Sequence, residues 1–374
     1  MNRAPLTTQV FNDLIVALTE IRDGYVLSEE RFRQPLDVVE GYRYVGQVLS
    51  AASELFFEAD PQHPRLAPIV SPARKLQGDN PDAIYHYARI RGDCTYRIYG
   101  TREHECYTSF TIHGAAPDGA MAGALLGDVN DRDLHFEDDG SYTIVLSAQE
   151  QPGNWIPLDE AAHSVVVRSY FQRERSAQND GNIRVRIGIE PLDSAPSAPP
   201  LSDEVLAARM REGVAFLRQV TLGQGLPSSA SPVPFVSNVP NTLPTPFSFR
   251  DSGLAVPGAA DIHYSMGRWD LAPDQALVMT GTLPSCAFVN VMLWNRHMQT
   301  VDYSTRQSSL NRAQVVLETD GSYRIVIAHQ NPGVANWLDT EGHATGSIFW
   351  RYLLAEQDPL ISQCTVVALS ELRD

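Results

Sequence analysis

The sequence predicts a mainly β, α+β fold: two tandem, duplicated β-sandwich or jelly-roll units with helices ahead of them and between them. Three observations predict it. The chain has 374 residues, 43% hydrophobic and 20% charged, which is the balance of a globular protein long enough for two cores. Helical periodicity up to Phe57 then gives way to period-two patterns of β-formers. Finally, the β region repeats. Phe136-Glu-Asp-Asp-Gly-Ser-Tyr-Thr-Ile-Val-Leu returns as Leu317-Glu-Thr-Asp-Gly-Ser-Tyr-Arg-Ile-Val-Ile, 181 positions later. Each copy is followed by a glutamine (Gln149, Gln330) and then by Asn-Trp (Asn154-Trp155, Asn336-Trp337). Anchors kept at such spacing mark a duplicated unit.

Each element has its own signal. Val10, Phe11, Leu14, Ile15, Leu18 and Ile21 recur at helical spacing between Thr7 and Arg22. A second helix runs from about Pro35, a residue suited to a first turn, to Phe57, with Val38, Val39, Tyr42, Val45, Val48, Leu49 and Ala52 as its apolar stripe. Strands follow at Ala83 to Ile90, Thr95 to Tyr99, Cys106 to His113, Ser141 to Leu146, Ser164 to Phe171 and Asn182 to Glu190. Ser194 to Leu201 reads as a linker, and Ser202 caps a third helix that reaches about Val220. Gly223 to Pro246, rich in proline, serine and asparagine, is a surface wrap or a lid. A second β region spans Ile262 to Leu354, and a last strand lies near Cys364 to Leu369. The resulting segments are 1–74 (helical), 75–193 (first sandwich), 194–256 (linker, helix and wrap) and 257–374 (second sandwich).

Two stretches carry a family resemblance. In the second copy Pro284-Ser-Cys-Ala-Phe-Val-Asn-Val-Met-Leu-Trp-Asn, Asp320-Gly-Ser-Tyr, Asn336-Trp-Leu and Phe349-Trp-Arg-Tyr-Leu resemble the bacterial domain-of-unknown-function family 1214. In the first, Asp79-Asn-Pro-Asp-Ala-Ile-Tyr and Tyr96-Arg-Ile-Tyr-Gly-Thr-Arg resemble the companion family 1254, whose pattern here is Asn-Asn-Asp-Thr-x-Tyr. The resemblance implies a helical N-terminal part followed by β-sandwich domains, and no particular reaction. Pro81 between Asn80 and Asp82, and Asp339 where proline usually follows Asn-Trp-Leu, depart from the family patterns.

The charge balance excludes several functions. A net charge of -16 repels nucleic acid and anionic membranes, so the expected partner is a small molecule, with a homodimer left open. Lys75 is the only lysine and sits in no phosphate-loop motif, so arginine must supply nearly all positive charge in any site. That favours planar recognition of a carboxylate or oxyanion over lysine-based covalent chemistry. No secretory signal, membrane-length apolar run or Cys-x-x-Cys pair is visible. Cys94, Cys106, Cys286 and Cys364 therefore read as reduced thiols of a cytoplasmic protein, with a Cys94–Cys106 bridge across neighbouring strands as the lesser alternative.

The candidate chemistry centres on the loop at Asp79 to Asp82. Asp82 is the candidate base or orienter, with Tyr85, Arg97 or Arg102 stabilising negative charge. His113, whose positional partner in the second copy is Trp294, is a candidate acid or base. Asp79, Asn80, Tyr87, Tyr99 and Trp155 are candidate substrate contacts. The alternative for the loop is an Asx turn capping backbone amides, and for the Asn-Trp pairs a hydrophobic plug. Alternation puts Tyr85 and Tyr87 on one face and His86 on the other. His163 and His343 both follow Asn-Trp, so they read as structural. Asp128 to Asp133 reads as a solvated acidic loop, and Glu103-His104-Glu105 as a solvated turn. Zinc, nucleophile-elbow and dinucleotide motifs are absent, so neither a metal nor an organic cofactor is expected. The reading that results is an acid/base enzyme (lyase, isomerase or hydrolase) acting on a small apolar or amphipathic molecule at a domain interface. The alternative is a non-catalytic carbohydrate- or lipid-binding sandwich.

Overall fold

A computed structural model describes residues 4–32, 34–192, 200–225, 233–249 and 261–372. Most of the linker and part of the proline-rich stretch lie outside these residues. The helices are α1 (Leu6–Ile21), α2 (Pro35–Ala52) and α3 (Asp203–Gln219), and α1 and α2 each run on into a wider five-residue turn, Arg22–Val26 and Ser53–Phe57. Asp203, at the start of α3, accepts hydrogen bonds from the Leu6 and Thr7 backbone amides at 2.6 and 2.9 Å, so one helix caps another. Close packing at α3 requires a glycine, because a Cβ at Gly213 would lie 2.3 Å from the Phe57 ring.

The buried stripes differ from the sequence expectation. α1 buries Val10, Leu14, Ala17 and Ile21 but exposes Phe11 and Ile15. α2 buries Asp37, Gly41, Tyr44, Gln47 and Val48 while Val39 and Tyr42 face outward. The reason is that α2 packs on a polar surface of the second unit. His297 bonds the Asp37 carbonyl at 2.8 Å, and a Cβ at Gly41 would sit 3.2 Å from the His297 ring.

The first unit contains β1 (Ala67–Pro68), β2 (Ala83–Arg89), β3 (Tyr96–Thr101), β4 (Tyr107–Gly114), β5 (Leu125–Asn130), β6 (Ser141–Ser147), β7 (Trp155–Pro157), β8 (Ala162–Tyr170) and β9 (Arg186–Pro191). The second contains β10 (Phe247–Ser248), β11 (Ile262–Asp270), β12 (Gln275–Thr282), β13 (Phe288–Trp294), β14 (Ser309–Asn311), β15 (Ser322–Ala328), β16 (Trp337–Asp339), β17 (Thr345–Leu353) and β18 (Gln363–Ala368). Each unit is a sandwich of a five-stranded front sheet and a four-stranded back sheet. The strand orders correspond one for one: β1-β2-β8-β4-β5 with β10-β11-β17-β13-β14, and β7-β6-β3-β9 with β16-β15-β12-β18. The duplication is therefore structural, as the repeat predicts.

Alternation along the front strands sends one set of side chains into each sandwich and the other set outward. Phe110, Ile112, Val165 and Val167 fill the first sandwich. Val289, Val291, Ile348 and Trp350 fill the second. The outward sets do not face water. Tyr85, Tyr87, Tyr107 and Tyr170 of the first unit and Tyr264, Phe288, Met292 and Phe349 of the second join the helices in a third core. That shared core holds Tyr85 and Tyr87 of the candidate site.

Candidate functional site

Strand register aligns the outward faces of the two front sheets rung by rung. Across β2, β8, β4 and β5 one rung reads Tyr85, Arg168, Ser109 and Asn130. The matching rung of β11, β17, β13 and β14 reads Tyr264, Arg351, Asn290 and Asn311. A Tyr–Arg–x–Asn rung is thus present in both copies. The neighbouring positions diverge. Tyr107, Tyr170, Thr111 and His113 in the first copy stand where the second has Phe288, Leu353, Met292 and Trp294.

Each rung receives an acid from the other unit. Asp82, in the loop before β2, accepts from Asn290 and Asn311 Nδ2 at 3.0 and 2.9 Å. Its counterpart Asp261, just before β11, accepts from Tyr107 Oη and Asn130 Nδ2 at 3.0 and 2.8 Å. The two exchanges form a reciprocal, pseudo-twofold lock. Asp82 is wholly buried, and its pKa is raised by that burial against the pull of the two asparagine amides. Asp79 accepts from the Thr300 amide at 2.6 Å, and burial pushes its carboxyl up to about 6. Asn80 Oδ1 accepts from Asn290 Nδ2 at 2.8 Å and from the Asp82 amide at 3.0 Å, which is an Asx turn spanning the seam. Lys75 is buried as well, donating to the Thr300 carbonyl at 2.7 Å, with its pKa lowered by burial.

The chemistry-bearing face belongs to the first copy. Arg168 Nη1 donates to Thr111 Oγ1 at 2.6 Å, and Thr111 Oγ1 lies 3.2 Å from His113 Nε2. His113 Nδ1 lies 3.2 Å from the Gly123 carbonyl. A carbonyl only accepts, so Nδ1 carries the proton and Nε2 turns its lone pair toward Thr111 Oγ1, whose hydroxyl also reaches the Val166 carbonyl at 3.2 Å. Burial, with Arg168 nearby, lowers His113 to about 4, so the imidazole is neutral near pH 7. Tyr85, beside Arg168 on the rung, donates to the Tyr170 hydroxyl at 3.4 Å and is held as a neutral phenol by burial. Ser109 is fully buried, and among the described residues its hydroxyl has no hydrogen-bond partner. Among the described residues Arg168 has no carboxylate within ion-pair distance. In the second copy Arg351 is committed: it donates to the Gly78 carbonyl at 2.8 Å and stacks over Phe349 and Trp294.

The structure thus groups Asp79, Asn80 and Asp82 at the seam, with Tyr85 beside them and His113 two rungs along the same face. It does not bring Arg97 or Arg102 to them. Both belong to β3 and its turn, in the opposite sheet, where Arg97 pairs with Glu190 and Arg102 with Asp131. Tyr87 is buried, its hydroxyl raised to about 12 by burial. Trp155 donates its indole N–H to the Ser147 carbonyl at 3.1 Å, and Trp337 does the same to Ala328 at 3.0 Å. Asn154 and Asn336 also make matching bonds, each tying two backbone carbonyls, so the Asn-Trp pairs are duplicated turn fasteners. Tyr99 lines an open groove of about 700 Å³ on the first back sheet, with Thr101, His135, Glu137, Thr143 and Arg186. The Tyr99 ring lies flat enough on Gly188 that a Cβ there would meet it at 2.6 Å.

Several sequence expectations need correction. Leu125 to Asn130 is a strand rather than a solvated loop, and Asp131 is buried between Arg102 and Arg132. β3 and β4 lie in different sheets, so Cys94 and Cys106 do not face each other, and all four cysteines are free. Register matches His163 with Gly346, not with His343. Asp261 and Tyr264 repeat Asp82 and Tyr85, so the loop before β2 has a counterpart before β11. Ser109 and Thr111 match Asn290 and Met292 at the repeat's own offset, but Tyr85 and Arg168 escape a comparison at fixed offset. Asn130 and Asn311 differ by 181, but Tyr85 and Tyr264 differ by 179 and Arg168 and Arg351 by 183, because two-residue length changes separate the strands. Allowing those shifts would have exposed the rung.

Comparisons agree with this architecture. The chain is similar along 98% of its length, and 98% of the other's, to an uncharacterized protein of Burkholderia cenocepacia, at 31% identity and a TM-score of 0.83. It is more distantly similar to the VPA0106 protein of Vibrio parahaemolyticus, at 13% identity and a TM-score of 0.47 over 87% of this chain and 98% of that one. No curated protein matches it. The model for the protein family of unknown function DUF1214 matches residues 86–174 and again residues 268–357. Both copies therefore match one family, and nothing in the comparisons shows the companion family in the first half. On these matches the chain belongs to the DUF1214 family.

Proposed function

We propose that this protein is an acid/base enzyme for a small amphipathic organic anion, bound against the outward face of the first front sheet. Arg168 holds the anionic head, the aromatic side chains of the shared core receive the apolar part, and His113 moves the proton. The observation that carries this reading is the divergence of matched positions. Both copies keep the rung arginine, and among the described residues neither pairs it with a carboxylate, yet only the first surrounds it with hydroxyls and an imidazole where the second commits it to a backbone carbonyl and two aromatic faces.

A planar guanidinium without a carboxylate partner suits bidentate binding of a carboxylate or oxyanion. Arg168 also helps keep His113 neutral. An anion on Arg168 offsets that repulsion, so binding makes Nε2 a better base just when substrate is present. The Thr111 hydroxyl, between the two, passes the proton: turning from the Val166 carbonyl, it gives its own to Nε2 and takes one from the substrate. The Tyr85 phenol and the free Ser109 hydroxyl are donors for charge developing on the substrate. The free cysteines fit a reducing, cytoplasmic setting.

The test uses phenylacetate and 3-phenylpropanoate as probes. Each should raise the melting temperature of the wild type, and Arg168→Gln should weaken binding at least about tenfold, the loss of one charge-assisted pair. In D2O the wild type should exchange hydrogen at the carbon next to the carboxylate, and His113→Gln should bind the probe yet stop the exchange. Equal binding by Arg168→Gln would refute the assignment. The Tyr99 groove favours a second reading, a sugar- or lipid-binding sandwich without catalysis. That reading requires saccharide or lipid binding that Tyr99→Ala abolishes and Arg168→Gln does not touch.

A further inference from the structure

We propose that Glu40, Glu341 and His343 bind one divalent transition-metal cation of the zinc class, stapling α2 to the second sandwich. No sequence motif announces this set. Glu40 lies on α2, and Glu341 and His343 lie in the turn between β16 and β17. The fold brings one ligand atom from each to within 4.8 Å of the others.

The imidazole is prepared for a metal. His343 is completely buried, and its Nδ1 lies 2.8 Å from the Thr340 carbonyl. Nε2 lies 2.8 Å from Glu40 Oε2, which like the carbonyl only accepts, so in the absence of metal Nε2 donates a proton in that contact. Each carboxylate has an outer partner: Asn295 Nδ2 donates to Glu40 Oε2 at 3.0 Å, and the Asp302 amide donates to Glu341 Oε2 at 3.0 Å. A histidine oriented by a backbone carbonyl beside hydrogen-bonded carboxylates is the outer-shell arrangement that metal sites use. One nitrogen and two carboxylates favour zinc, cobalt or manganese over calcium or magnesium, which prefer oxygen alone. Without metal, the Nε2 proton lies in the short contact between His343 and Glu40, the two groups that would both be ligands. The cation replaces that proton, so one H⁺ leaves for each cation bound. Register gives His343 no counterpart in His163, so the site belongs to the second copy alone.

The experiment uses the full chain without an affinity tag, stripped with EDTA, and titrated with Zn2+ by calorimetry and with Co2+ by visible absorption. The expected result is one cation per chain, release of one proton, d–d bands with Co2+ and a raised melting temperature. Glu341→Gln, at a partly exposed turn, should weaken Zn2+ at least about tenfold while leaving metal-free stability close to wild type. Glu40→Gln should weaken Zn2+ by as much, with some loss of metal-free stability because it also weakens the His343 contact. Failure of the wild type to bind either metal at about 1 mM, or wild-type affinity in both variants, would overturn the proposal. Neither result bears on Arg168 or His113, whose probe binding is measured separately.

Discussion

Replacing Asp82 by alanine separates a lock from a catalytic base. The carboxylate is buried and takes one hydrogen bond from Asn290 and one from Asn311, both across the seam between the units. Truncation leaves two buried N–H donors one partner short, at about 1–3 kcal/mol each. Some of that loss is returned, because burial penalises the charged carboxylate, as its raised pKa shows. The Asn290 amide also retains Asn80, and the Asn311 amide retains the Arg173 carbonyl. The net expectation is a destabilisation of about 2–3 kcal/mol. Urea unfolding at pH 7, followed by far-ultraviolet circular dichroism, measures it. Asp82→Asn keeps one acceptor and should cost about half as much. In a double-mutant cycle, Asp82→Ala and Asn311→Ala should be non-additive by about 1 kcal/mol, since they remove the same bond. Binding of phenylacetate at Arg168 should stay within about twofold of wild type. A loss below about 0.5 kcal/mol, or full additivity with Asn311→Ala, would refute the lock.

Two further outcomes follow from the same coordinates. Burial pushes Asp79 up to about 6 in the folded protein from the ordinary 3.8, so between those values the native state holds a proton that the unfolded chain has released. Its contribution is complete below the lower value and is lost as pH rises through the higher one, at up to about 1.4 kcal/mol per pH unit. Between pH 4 and 7 the stability of wild type relative to Asp79→Asn should therefore fall, and parallel urea midpoints for the two proteins would contradict the assignment. Asp203→Ala uncaps α1 from the neighbouring helix and should cost about 1 kcal/mol. Hydrogen exchange at Leu6 and Thr7 should quicken while the strands of both sandwiches keep their protection.

The architecture was legible because it rests on local signals. The Asp-Gly-Ser-Tyr hairpins, the Asn-Trp turns and the Ser202 cap are each written within a few residues, and each reappears as a turn or cap. The outward faces were harder to read. A period-two pattern tells which residues alternate but not what covers them, and here the second face of each front sheet is buried in a shared core. Phe11, Ile15, Val39 and Tyr42 looked like core because they are apolar, yet α2 turns Gly41 and two polar residues, Asp37 and Gln47, toward the second unit. Asp82, Tyr85 and His113 could be named from their loop and strand. Arg168 could not, since its meaning comes from Thr111 and His113 on another strand and from its contrast with Arg351. The Glu40, Glu341 and His343 set spans about three hundred positions and has no local trace.

The contrast between the two arginines gives the functional reading its physical basis. Arg351 is buried and Arg168 half-buried, and a guanidinium so placed is costly to the extent that its charge and its N–H groups go unanswered. The second copy answers with the Gly78 carbonyl, a methionine sulfur and the faces of Trp294 and Phe349. The same solution was open to the first copy, since the positions correspond rung for rung. Instead Thr111 and His113 replace the methionine and the tryptophan, and one threonine hydroxyl is the hydrogen-bond partner Arg168 receives. Such a change gives up packing and stacking on a face that already carries Ser109 without a partner. As pure scaffolding it loses stability with nothing in return. With an anionic ligand in place the guanidinium is paired, the hydroxyls have an acceptor, and the neutral imidazole stands one hydroxyl away from a proton it can take.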